Sequence, residues 1–161
     1  MQLSLESRIA SADHQVPHAA PPAPGDLVVV LEQDVFTARR IDTMLRNVGY
    51  RVLAFTEPGA GLPLVSTHAF DLVLAQHPMA PRHAARLLRI AQSSQGVRRP
   101  GFVLITDAPH LVTDVERRTY DAIVSRPICA IDLLAAMRRA SARRSTPITG
   151  ALRDLRRFVV N

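Results

Sequence analysis

The chain has 161 residues, 47% of them apolar, which suffices for one ordinary domain with a real core and is too short for two comfortable ones. All 20 basic residues are arginine, so Schiff-base chemistry and a P-loop lysine are excluded. The longest apolar runs, Leu27 to Leu31 and Phe102 to Ile105, are strand-length and fall far below the roughly 18 residues a membrane span needs. Net charge is +6, with the basic excess concentrated in 141–161, where five arginines face one acid. A lone cysteine, Cys129, and a start that lacks a basic segment followed by an apolar block lead us to expect a reducing, cytoplasmic setting.

Residues 1–25 end in an Ala/Pro-rich stretch with Pro21, Pro22 and Pro24 and are expected to be a flexible extension. Residues 26–140 alternate strand and helix patterns. Leu27 to Leu31 is a β-branched run of the kind buried on both faces of a parallel sheet. Asp34 then reads as an N-cap, with Ala38, Ile41, Leu45 and Val48 at helical spacing until Gly49. Arg51 to Phe55 is a second strand, followed over 57–68 by a helix weakened by Pro58, Gly59, Gly61 and Pro63. Asp71 to Gln76 predicts a third strand, and Ala84, Leu87, Leu88 and Ala91 the stripe of a third helix. Phe102 to Thr106, a short helix over 110–119, and Ala122 to Ser125 follow, and Ile131, Leu134 and Met137 mark a fifth helix. Five strands alternating with helices imply an α/β, doubly wound parallel sheet.

The last segment, 141–161, reads as a basic tail with a short amphipathic helix. Leu152, Leu155 and Phe158 fall at helical spacing, with Arg156 and Arg157 on other positions. Its uses stay open: docking on the domain or on a second copy in a homodimer, or contact with nucleic acid or a membrane surface. The few aromatic residues, 4% of the chain, argue against a base-stacking platform.

In an open α/β sheet, chemistry gathers beyond the carboxyl ends of the strands. Here those positions hold Glu32, Gln33, Gln76, Thr106, Asp107, Arg126 and Pro127. The set resembles the receiver domains of two-component response regulators. Glu32 and Gln33 stand where that family has an acidic pair, Gly49-Tyr50 where it has a Gly-Tyr turn, and Gln76 where it has the phosphorylated aspartate. Thr106 matches its fourth-strand hydroxyl, and Arg126-Pro127 its usual Lys-Pro. The resemblance covers about 26–140 and implies the flavodoxin-like strand order 2-1-3-4-5.

The departures carry the functional expectation. In the family an aspartate attacks a phosphoryl group while Mg²⁺, held by that carboxylate and the acidic pair, neutralises charge. Gln76 is no nucleophile, Gln33 removes a metal ligand, and Arg126 replaces a lysine with a planar fork of fixed donors. From Thr106 to Arg126 the chain is also about two residues shorter than the family pattern, and the aromatic usual near Ile123 is missing. The resemblance thus implies a degenerate, non-catalytic pseudo-receiver without metal or cofactor. It would bind a histidine kinase, phosphotransfer protein or other signalling partner, with a nucleic-acid-associated regulator using the tail as the alternative. The same polar residues could also be an inert, mutually hydrogen-bonded edge. If functional, Glu32 and Arg126 should form a static pair replacing the metal-centred charge balance. His68, His77, His83 and His110 show no metal-ligand spacing and are expected to be solvent-exposed loop residues.

Overall fold

A computed structural model describes residues 26–94 and 99–144. The elements are β1 (Leu27–Leu31), α1 (Val35–Asn47), β2 (Arg51–Phe55), α2 (Pro58–Ser66), β3 (Leu72–His77), α3 (Pro81–Ser93), β4 (Gly101–Thr106), a 3-10 turn (Pro109–Leu111), α4 (Asp114–Thr119), β5 (Ala122–Ser125) and α5 (Ala130–Arg144). All strand pairs are parallel and the order is β2-β1-β3-β4-β5. The first 25 residues, and the tail positions Leu152, Leu155, Arg156, Arg157 and Phe158, lie outside the described residues.

Helices cover both faces of the sheet because the chain crosses over between parallel neighbours. On one face, α1 and α5 pack on Val28, Val30, Leu72, Leu74, Val103 and Ile105. On the other, Leu62 and Val65 of α2 and Leu87, Ile90 and Ala91 of α3 pack on Val29, Leu31, Val73, Ala75, Phe102 and Leu104. Val28 to Leu31 are fully buried, so both sides of β1 are core.

α1 follows its sequence signals. The Asp34 carboxylate accepts from the Thr37 amide at 2.8 Å, and Gly49, at φ 97°, turns the chain into β2. The weak signals of α2 have a packing cause. A Cβ on Gly61 would lie 2.4 Å from Leu31 Cδ2 and 2.9 Å from the Phe55 ring, so the glycine lets the helix sit directly on the sheet. Full burial of Leu62 and Val65 is worth about 1.5–3 kcal/mol each. Pro63 and the two glycines cost a similar total, about 3 kcal/mol and about 1 kcal/mol apiece. Docking, not propensity, holds α2.

The stripe expected for α5 needs correction. Its buried positions are Leu133, Ala136, Met137 and Ala140, whereas Ile131 is 74% exposed and Leu134 is half-buried. The helix starts only at Ala130, and its register against the sheet is set from Leu133 on. α4 is a single six-residue helix without a buried residue, held by a capping box in which Thr113 and Glu116 satisfy each other's backbone amides.

The strand-entry end is closed by two carboxylates. Asp71 accepts from the Leu27 amide at 2.7 Å, and Asp121 accepts from Arg99 Nη1 at 2.7 Å and from the Phe102 amide at 2.8 Å.

Candidate functional site

At the strand-exit end, Glu32, Gln33, Asp34, Gln76, His77, Pro78, Asp107 and Arg126 line an open cleft of about 290 Å³. The four strands β1, β3, β4 and β5 each deliver their last or following residues there, because parallel strands in matched register end together.

One ion pair spans the cleft. Arg126 Nη2 donates to Glu32 Oε2, joining the end of β5 to the end of β1 across the two strands between them. The other oxygen, Glu32 Oε1, accepts from the Asp34 amide at 3.0 Å, so both oxygens of a side chain only 3% exposed are engaged. Beside this pair, Gln33 and Gln76 interlock. Gln76 Oε1 accepts from the Gln33 amide, and Gln76 Nε2 donates to Gln33 Oε1 at 2.9 Å and to the Pro78 carbonyl at 3.2 Å. Asp34 is occupied as the α1 cap; the hydrogen bond from the Thr37 hydroxyl, then that from its amide, holds its carboxyl below the ordinary range.

A second chain of contacts leads away from the cleft. Thr106, fully buried, accepts from the Ala108 amide at 3.0 Å and lies 3.2 Å from His77 Nδ1, and His77 Nε2 faces Glu116 Oε1 of α4 at 3.8 Å. Hydroxyl, imidazole and carboxylate in a row have the composition of a nucleophile relay. Here the hydroxyl is covered and its oxygen already occupied, so no substrate atom has a path to it. The row ties the end of β3 to α4.

Solved structures share this architecture. A CheY-like receiver domain from Methanospirillum hungatei JF-1 superposes with a TM-score of 0.64 at 18% identity, covering 74% of this chain and 96% of that one. The receiver domain of a sensor histidine kinase from Pseudomonas aeruginosa PAO1, solved with magnesium in its active-site cleft, gives 0.62 at 17% identity, covering 73% and 98%. The signal receiver domain of a modulated diguanylate cyclase from Desulfovibrio desulfuricans G20 gives 0.62 at 17% identity, covering 74% and 96%. The fold is that of a receiver domain. No protein-family model and no curated protein matches the sequence.

Within the receiver fold, Glu32, Gln33, Gln76 and Arg126 do converge, and Thr106 lies behind them, bonded to His77. The donor set does not fit magnesium. A hard dication needs several anionic oxygens, but Glu32 is neutralised by Arg126, Asp34 caps a helix, and Gln33 and Gln76 are neutral amides bonded to each other, which leaves the exposed Asp107 as a single carboxylate. Among the described residues, no three His, Cys, Asp or Glu side chains converge as a metal site.

The expectation of four solvated loop histidines fails for two of them. His77 is the last residue of β3, paired with Thr106 in the ladder and 12% exposed at its side chain. The cause is that β3 runs one residue past Gln76, its expected end, matching the end of β4. His83 is half-buried, its ring filling the space left by Gly59. His68 and His110 are exposed as expected. Glu116 carried a readable signal, the Thr113-x-x-Glu116 capping-box spacing.

Proposed function

We propose that this receiver fold is a phosphorylation-independent interaction module: it performs no phosphoryl chemistry and acts by binding a signalling protein in a bacterial two-component pathway. A histidine kinase, a phosphotransfer protein or another signalling protein is the partner class, and the cytoplasm its setting. One observation carries the reading. The position of the attacking carboxylate holds the Gln76 amide, locked to Gln33, while the retained Glu32 is neutralised by Arg126 rather than by a metal.

The surface around the cleft supports a binding role. Phe36 in the first turn of α1 is 82% exposed and Ile131 in the first turn of α5 is 74% exposed. Both helices start at the strand-exit end and lie on the same sheet face, so these apolar side chains flank the cleft. Among the described residues no helix is long and apolar enough to cross a membrane.

The test is the intact mass of the protein after incubation with acetyl phosphate and Mg²⁺, which is expected not to change. A phosphoryl adduct mapped to residues 71–83 would overturn the reading.

A further inference from the structure

We propose that the solvent face of α3 binds the phosphate backbone of a nucleic acid. Arg82, Arg86 and Arg89 are all exposed and recur at i, i+4 and i+7, one stripe of about 10 Å at 1.5 Å rise per residue. No acid occurs on this helix, or anywhere between Asp71 and Asp107, a stretch that contains five arginines. Arg99 of that stretch is taken up by Asp121. None of the three stripe arginines joins an ion pair among the described residues.

The arrangement works against the helix that carries it. Like charges at i, i+4 and i, i+3 repel, and Arg82 places a cation in the first turn, where the helix dipole favours an anion. The N-cap residue, Ala80, offers no side-chain acceptor to offset this. By contrast, α1 is capped by Asp34, and α4 opens with Thr113, Asp114 and Glu116. Apart from a hydrogen bond from Arg82 Nε to His83 Nε2 at 3.2 Å, these departures have no structural return among the described residues, and a polyanion laid along the stripe would relieve the charge repulsion.

The chemistry of the face selects the kind of polyanion. Protein–protein interfaces have an apolar centre from which charge is depleted. The large exposed apolar side chains, Phe36, Leu111 and Ile131 foremost, lie on other elements, and the arginines of α3 are separated on its outer face by Ala85. A stripe of arginine forks without apolar neighbours suits phosphate oxygens, and with few aromatic residues in the chain the contact is to the backbone and not to stacked bases. None of the three arginines lines the cleft, so the proposal stands apart from the reading of the receiver site.

The experiment is fluorescence anisotropy of the full chain with a labelled DNA duplex at rising salt, comparing the wild type with R82Q/R86Q/R89Q. Three lost phosphate contacts should reduce the slope of log affinity against log salt by about 2.7. Between about 50 and 200 mM salt the wild type should then weaken about 40-fold more than the variant. The variant should keep its melting temperature, because exposed like charges are being removed. A tail variant, R153Q/R156Q/R157Q, should retain the share of the slope that the triple α3 variant loses. Failure of the wild type to bind the duplex at the lowest salt, or an unchanged slope in the α3 variant, would overturn the proposal. So would tighter binding of a polyglutamate peptide than of the duplex that is lost with the three arginines, which would make the stripe a surface for acidic proteins.

Discussion

Two ion pairs close the sheet at its opposite ends, and they are built differently. At the entry end Asp121, with a fully buried side chain, takes Arg99 and the Phe102 amide, while Arg99 also donates to the Thr119 carbonyl at 3.1 Å and stacks 5.9 Å over the Phe102 ring. Every strong group there has a partner within two neighbouring strands and their leads. At the exit end Glu32 and Arg126 are 94 positions apart in sequence and meet over the ends of two intervening strands, with the arginine 26% exposed. The first pair staples β4 to β5; the second spans the cleft in which receiver domains do their chemistry. The same chemical group serves as scaffold or as site according to the sheet end it occupies.

The largest expected effect is at the entry pair. Arg99→Met removes the cation that balances a fully buried carboxylate and should cost about 3–5 kcal/mol in chemical unfolding. Arg126→Met should cost less, about 1.5–3 kcal/mol, because Glu32 borders an open cleft that water can enter. A double-mutant cycle of Glu32→Gln with Arg126→Met sharpens the contrast, with an expected coupling of about 0.5–3 kcal/mol. Coupling near zero would reduce the exit pair to a surface contact.

Two smaller effects probe the cleft alone. Gln76→Asp by itself should restore little labelling by acetyl phosphate, since Gln33 and the Arg126-neutralised Glu32 still leave the metal poorly held; efficient labelling of this single variant would show that one residue alone silenced the site. Asp34→Ala should lower the melting temperature at neutral pH. Because the folded carboxyl titrates below its ordinary 3.8, its contribution is present above that value and fades as pH falls through the folded one. The difference between variant and wild type should therefore disappear in strong acid, and a constant difference would detach it from the cap.

Much of the fold was legible because several local signals agree. The Val28 to Leu31 run, the Asp34 cap and the Gly49 turn each point to one element, and all three take those roles. The converging residues of the site were legible for the topological reason that strand ends collect in one place. What escaped was set by tertiary contact. A strand buried on both faces has no alternation to mark its end, so His77 read as loop although the ladder with Thr106 continues to it. On α5 the apolar residues outnumber the buried positions, and the sheet's choice of Leu133 over Ile131 cannot be seen in spacing alone. Gly59 and Gly61 read as helix breakers because their value lies in what they admit, the His83 ring and the Leu31 side chain.

Glu116 has one carboxylate oxygen on the Thr113 cap and the other toward His77, on a helix that buries nothing. In the language of amide hydrogen exchange, α4 belongs to the low-energy end of the opening spectrum, whereas β1 and β3 should exchange only when the whole domain unfolds. Since the cap and the imidazole contact share one side chain, fraying of α4 also uncovers His77 Nε2, while Nδ1 stays beside Thr106 Oγ1. The protein should therefore visit, without global unfolding, a form in which His77, a residue of the cleft lining, presents Nε2 to solvent.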